Sequence, residues 1–244
     1  MADASTLAML RARIRSLEGG AAGFGVPVAG LGHAAIDTQL PWGGLPMAAL
    51  HEIRGSLASG LTGALAGRLL GAGKGALVWC ADAALTRRQG RLYGPGLARL
   101  GIAAERLLLV QCQNAQEVLW AAHEALTSSA VAAVVIELER FDLLAGRRLQ
   151  LAAEAGGAAG LILRFGKSDD APSAAVTRWR AEPFFVNDLN THRCWSLDLW
   201  RVKGGVPGHW LVRWDDRTLS FAAAHEPADR PAAPQGPTAR IAAA

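Results

Sequence analysis

The sequence predicts an α/β fold in which a mostly parallel central sheet is flanked by helices and antiparallel strands follow at the C-terminal end. Three observations carry that expectation. Short, continuously apolar runs alternate with helical segments between about residues 48 and 165, as a sheet buried on both faces requires. An apolar strand at 48–53 runs into the glycine-bounded loop Gly55-Ser56-Leu57-Ala58-Ser59-Gly60-Leu61-Thr62 and then a small-residue helix. Beyond residue 170 apolar and polar positions alternate, the period of strands covered on one face.

Residues 4–17 place Leu7, Leu10, Ile14 and Leu17 at spacings of three and four, with arginines on the other side, so they read as an amphipathic helix ended by Gly19 and Gly20. Such a short helix is marginal alone and needs a surface to cover its apolar stripe. Residues 23–44 form a Gly-rich connection with a short strand-like piece, closing in the turn Pro41-Trp42-Gly43-Gly44-Leu45-Pro46. Strands are then expected at 76–80, 106–111, 130–138 and 160–165, and helices at 94–100, 115–127 and 143–155. In the last third, 175–183, 194–202 and 209–214 read as strands, the last two joined by the hairpin turn Lys203-Gly204-Gly205-Val206-Pro207-Gly208. Trp195, Leu197 and Leu199 share one face, as do Trp210, Val212 and Trp214, and tryptophan so placed is expected to cover a sheet. From Glu226 onward the chain is Ala, Pro and Gly with few large apolar residues, the composition of a disordered tail. The organisation expected is an N-terminal helix over 1–22, one core domain over 23–222 and a tail over 223–244.

Composition narrows the class. A chain of 244 residues holds one large domain, and no apolar run approaches the ~18 residues of a membrane span. The N-terminal stretch carries Arg11, Arg13 and Arg15 and lacks a secretory pattern, so a soluble, cytoplasmic protein is expected. Cys80, Cys112 and Cys194 are too few and too widely spaced for a disulfide framework or zinc site and are read as buried thiols. The net charge of +4 rests on arginine, since Lys74, Lys167 and Lys203 are the only lysines. That balance suits either nucleic acid or an acidic protein partner.

The loop at 55–62 has the spacing of the phosphate-binding pattern G-x-x-x-x-G-K-[ST], with Gly55, Gly60 and Thr62 in place and Leu61 where the lysine belongs. In a working loop, backbone N–H groups between Gly55 and Gly60, including those of Ser56 and Ser59, would face phosphate oxygens, and Thr62 would reach a magnesium ion. The absent lysine removes a charge-assisted contact of roughly 1.5–3 kcal/mol, about ten- to a hundredfold in affinity. Catalysis would suffer more, because that lysine stabilises charge on the leaving phosphate. Glu137 ends the valine-rich strand where a magnesium-holding acid would stand, and Asp82 follows an earlier strand where it could orient a water. Arg87, Arg88, Arg91, Arg178 and Arg180 are candidates for direct DNA contact, an interaction that salt would weaken.

The order Gly43-Gly44-Leu45-Pro46-Met47, then Glu52-Ile53 and Gly55, then Tyr93 ahead of Leu100-Gly101, resembles the RecA recombinase core over about residues 36–221. Within that superfamily the chain resembles the ImuA family of divergent RecA-like proteins from bacterial mutagenesis cassettes. The narrower likeness rests on Leu45-Pro46 with Leu50-His51-Glu52-Ile53, on Leu92-Tyr93-Gly94-Pro95-Gly96-Leu97 with Leu107-Leu108-Leu109-Val110, on the run from Arg147 to Ala155, and on Thr177-Arg178-Trp179-Arg180 with the Trp195–Trp214 hairpin. The resemblance implies a RecA-like P-loop NTPase fold and a non-catalytic accessory role in SOS-induced, error-prone translesion DNA synthesis. It implies binding to ImuB, a Y-family polymerase homologue, and to the error-prone polymerase ImuC, with RecA as a further partner, DNA reached directly or indirectly, and association with the nucleoid on damage. The helix at 143–155 follows Glu137 almost without an insert, and 165–174 is short, leaving little room for the two DNA-binding loops of strand exchange. The alternative is a weak ATPase or nucleotide-gated DNA-binding switch that holds ATP and Mg2+ through the 55–62 loop, Thr62 and Glu137, with Asp82 at the water.

Overall fold

The computed structural model describes residues 26–166, 172–184 and 194–224. Eleven strands and six α-helices occupy them: β1 (Val28–Ala29), α1 (Ala34–Gln39), β2 (Leu45–Pro46), β3 (Leu50–Arg54), α2 (Ala58–Ala72), β4 (Ala76–Asp82), α3 (Ala83–Gln89), α4 (Gly94–Ala98), β5 (Leu107–Cys112), α5 (Ala115–Thr127), β6 (Val131–Leu138), α6 (Leu143–Gly156), β7 (Ala159–Arg164), β8 (Thr177–Pro183), β9 (Cys194–Val202), β10 (Gly208–Asp215) and β11 (Ser220–Ala223). A single 3-10 turn, Ala104–Arg106, leads into β5.

Nine strands form one sheet in the order β11-β10-β9-β8-β3-β7-β6-β4-β5. The six from β8 to β5 run parallel, and β9, β10 and β11 extend the sheet antiparallel from β8. This is the α/β architecture the alternating pattern predicts. The strand carrying the loop, β3, lies near the middle, and one strand, β7, separates it from β6 and its terminal Glu137.

Each face of the sheet has its own apolar layer. On one side α2 packs over Ile53, Trp79, Val135 and Leu161, and the layer continues beneath β8–β11 through Trp179, Trp195, Leu197, Trp214 and Phe221. The rings of Trp195 and Trp214 both meet Phe221 edge-on, at centroid distances of 5.5 and 5.1 Å, a preferred aromatic geometry. Tryptophan here covers the sheet, as its alternating positions predict. On the other side α5 and α6 cover Leu50, Val78, Val134, Ile136 and Ile162. Asn114 caps α5 through the Glu117 N–H, Asp142 caps α6 through the Ala145 N–H, and Gly157 ends α6 in the left-handed conformation.

Several expectations shift. The central strand starts at Leu50 because Ala48 has φ +55°, which takes it out of the extended region. Asp82 caps α3, so a helix follows β4 that the pattern did not signal, and α1 and β11 likewise lie in segments too short for periodicity to mark. Cys80 and Cys112 are buried thiols, but Cys194 is half-exposed at the start of β9. The expected helix at 4–17 and the tail from Glu226 lie outside the described residues.

Candidate functional site

The loop at the end of β3 is shorter than its sequence spacing suggests. Helix α2 begins at Ala58, so Ser59, Gly60, Leu61 and Thr62 all lie within it and only Gly55, Ser56 and Leu57 remain between strand and helix. The Ala58 N–H donates to the Gly55 carbonyl at 3.1 Å and the Leu61 N–H donates to that of Leu57 at 3.0 Å. Leu61 is 0% exposed and belongs to the apolar layer under the sheet. A leucine gains by that burial where a lysine would have to leave its ammonium unsolvated. A buried leucine at 61 thus goes with a helix that begins at Ala58.

What is left of the loop bonds to the neighbouring strand. The Leu57 N–H donates to the Ala181 carbonyl at 3.0 Å. The Ser56 N–H donates to Glu182 Oε2 at 3.2 Å, and the Ser56 hydroxyl donates to the same oxygen. Gly55 has φ +105°, and a Cβ there would overlap the Ala181 carbonyl, so glycine is needed both for the turn and for this approach. A protein carboxylate therefore occupies the Ser56 amide, and a backbone carbonyl occupies that of Leu57. Gly60 lies against the Trp195 ring, and Thr62 Oγ1 is buried with no hydrogen-bond partner among the described residues.

The acidic residues are engaged elsewhere. Glu137 Oε1 accepts the Trp79 Nε1–H at 2.7 Å. Burial pushes its carboxyl above the ordinary range against the pull of that bond, and Asp82 adds to the rise. Asp82 Oδ1 accepts the N–H groups of Ala84 and Leu85 at 2.7 and 3.1 Å. No group of three or more His, Cys, Asp or Glu suited to a metal ion occurs among the described residues. A magnesium–triphosphate in the usual arrangement needs an open loop, a lysine and an available acid; the collapsed loop, Leu61 and the Trp79-bound Glu137 do not fit it.

Two buried polar clusters flank β3, and the apolar pattern of the strand concealed them. On the α6 side Glu52, fully buried, accepts from Arg54 Nε at 2.6 Å, Arg178 at 3.1 Å and Arg164 at 3.3 Å. Burial alone would raise the Glu52 carboxyl, but a bond from Ser173 and the Arg178 and Arg54 guanidiniums outweigh it and hold it below the ordinary range. Arg178 also lies under Trp200, 3.9 Å from the ring centroid. On the α2 side His51 bonds through Nε2 to the Pro46 carbonyl at 3.0 Å and through Nδ1 to Thr177 Oγ1 at 2.7 Å, while the Trp179 Nε1–H donates to the same hydroxyl at 2.8 Å. A carbonyl only accepts, so Nε2 carries the proton and the Thr177 hydroxyl donates to Nδ1. Burial pushes the His51 pKa down to about 4, against the opposing pull of Pro46. A charged or histidine residue inside a fully buried strand was the available signal for both clusters.

The arginines singled out in the sequence divide by place. Arg87, Arg88 and Arg91 are exposed on and after α3, and Arg88 bridges to Glu139 at 2.8 Å. Arg178, grouped with them by sequence, is a core residue, because its register partner on β3 is Glu52. Arg180 lines a cleft of about 570 Å³ at the C-terminal edge of the sheet, together with Arg54, Ser56, Arg164, Phe165 and Glu182.

A mostly parallel sheet with one strand between the loop-bearing and acid-bearing strands, flanked by helices and extended by antiparallel strands, defines an α/β protein consistent with a RecA-like fold. No protein-family model matches the chain. It is 36% identical over 210 residues to Protein ImuA of Caulobacter vibrioides, in strain NA1000 / CB15N and in strain ATCC 19089 / CIP 103742 / CB 15, and the match covers 77% of this chain and 83% of each relative. The chain belongs to the ImuA family.

Proposed function

We propose that the protein is a non-catalytic accessory factor of SOS-induced, error-prone translesion DNA synthesis that works by binding the ImuB and ImuC components of a mutasome. Membership of the ImuA family supplies the context. The observation that favours binding over hydrolysis is the burial of Leu61 in the lysine position, which goes with a closed loop and acids committed to Trp79 and to the α3 cap. A rigid nine-stranded sheet is then a scaffold whose surfaces and termini meet the polymerase subunits. Mixing the full chain with purified ImuB at micromolar concentration should give a complex by size-exclusion chromatography with light scattering. Separate elution of the two at that concentration would count against the reading, and magnesium-dependent ATP turnover abolished by Thr62→Ala would favour a switch instead.

A further inference from the structure

Helices α5 and α6 lie side by side over one face of the sheet and, following the parallel strands β5 and β6, run in the same direction. Their exposed positions carry two different sets of side chains. On α5 these include Glu117, Trp120 and Glu124, and on α6 they include Leu144, Arg147, Arg148 and Leu151, both at the spacings of three and four that mark one helix face. Trp120 is 67% exposed, Leu144 61% and Leu151 65%. Large apolar side chains left this open on neighbouring helices mark an interaction surface. The side chains of Glu124, Arg147 and Arg148 make no hydrogen bond or ion pair among the described residues.

The two helices are also level. Gly156, the last residue of α6, packs on the Leu126 carbonyl and on Thr127, the last residue of α5. Seven residues earlier in each helix stand Trp120 and Leu149, so Trp120 has the height of the exposed pair Arg148 and Leu151. A two-fold axis along the groove between parallel helices keeps every residue at its own height and lays α5 of one copy on α6 of the other, twice over. Trp120 then falls on Arg148 and Leu151 of the second copy, a cation–π and apolar contact of the kind that anchors protein interfaces. Glu117 and Glu124, above and below it, face the guanidiniums of Arg147 and Arg148. A two-fold axis across the helices would instead set α5 on α5 and α6 on α6, carboxylate on carboxylate and guanidinium on guanidinium.

We infer that the outward face of α5 and α6 binds a second copy of this chain about a two-fold axis along their groove, forming a closed dimer with Trp120 at its centre. The charge pattern selects this occupant, because an acidic helix beside a basic one is complementary to itself when the pair is turned over. The inference goes beyond the proposed scaffold role and does not depend on it.

The test is sedimentation velocity on the full chain at rising micromolar concentration, for wild type and again with Leu108→Lys and Leu109→Lys, which remove strand addition at the β5 edge. In both, the mass should rise to twice that of one chain and stop there. Trp120→Ala should weaken the dimer at least about tenfold. Arg148→Glu and Glu124→Arg should each weaken it by repulsion, and an equimolar mixture of the two should recover it, because both contacts then pair opposite charges. Melting curves report whether each variant folds, and recovery on mixing is a signal that a misfolded chain does not give. The inference is overturned by a single-chain mass at every concentration, by a mass that grows past two copies, by a dimer indifferent to all three substitutions, or by reversed-charge variants that do not recover on mixing. Association with purified ImuB is measured on the same variants. A monomer whose ImuB complex is lost in Trp120→Ala gives the face to that partner, overturning the dimer and leaving the scaffold reading standing; a dimer without any ImuB complex does the reverse.

Discussion

At the scale of single residues, the chemistry of this protein sits in places where an apolar strand was expected. Leu50-His51-Glu52-Ile53-Arg54 carries three polar side chains, and all five residues are buried. Glu52 accepts from three guanidiniums in the interior, so removing its charge takes a buried ionic partner from each of them. Glu52→Gln should therefore destabilise the fold by about 3–5 kcal/mol, measured as a lowered urea midpoint with an unchanged slope. His51 gives a separate signature in pH. Its folded pKa of about 4 lies below its ordinary 6.5, so between those values the unfolded chain binds the extra proton. Stability on this account is complete above pH 6.5 and is lost as pH falls towards 4, by roughly 3 kcal/mol at the end of the window. Glu52, also depressed, adds loss in the same direction at lower pH. Unfolding free energies of wild type and His51→Asn measured across pH 4–7 should show a slope in the first that is flattened in the second; equal slopes would mean that His51 is not buried neutral.

At the scale of elements, helix α2 shows how packing fixes the geometry of a loop whose spacing alone resembles a phosphate-binding pattern. The spacing Gly55 to Thr62 was legible in the sequence, as was the wrong residue at 61. What the sequence left hidden was that α2 begins at Ala58, so that only Gly55, Ser56 and Leu57 remain between strand and helix. The glycines of α2 answer to packing as well: a Cβ on Gly67 would overlap the Leu100 carbonyl, so the small-residue face lets the segment after α4 lie close against the helix. A lysine at 61 should not open the loop. Leu61→Lys places an ammonium in the apolar layer under the sheet, and the expected result is a loss of stability well beyond the ~1 kcal/mol typical of point substitutions, with no gain in ATP affinity. A stable Leu61→Lys variant that binds Mg2+–ATP would show instead that the loop reopens around the charge.

At the scale of the whole molecule, the sheet of the described residues has one antiparallel flank and one parallel edge. Among the described residues strand β5 pairs with β4 alone, and it carries Leu108 and Leu109 at 57% and 49% exposure. An unpaired edge with apolar side chains is prone to add another strand. Leu108→Lys with Leu109→Lys is expected to lower concentration-dependent association in light scattering while leaving the melting temperature nearly unchanged.

The sequence by itself determined the strand and helix alternation, the loop spacing from Gly55 to Thr62 with leucine at 61, and the sheet-covering role of the C-terminal tryptophans. Those properties depend on local period and on motif spacing, which a linear chain records. Only the tertiary structure decided that Glu52 gathers Arg164 and Arg178 from 112 and 126 residues away, and that Glu182 reaches the Ser56 amide across 126 residues. It also moved Arg178 from the surface to the core and aligned Arg164, Arg54 and Arg180 along one edge. The reason is that strands β7 and β8 flank β3 in space while lying more than a hundred residues beyond it in the chain, and charge pairing across a sheet depends on register, which no local pattern states.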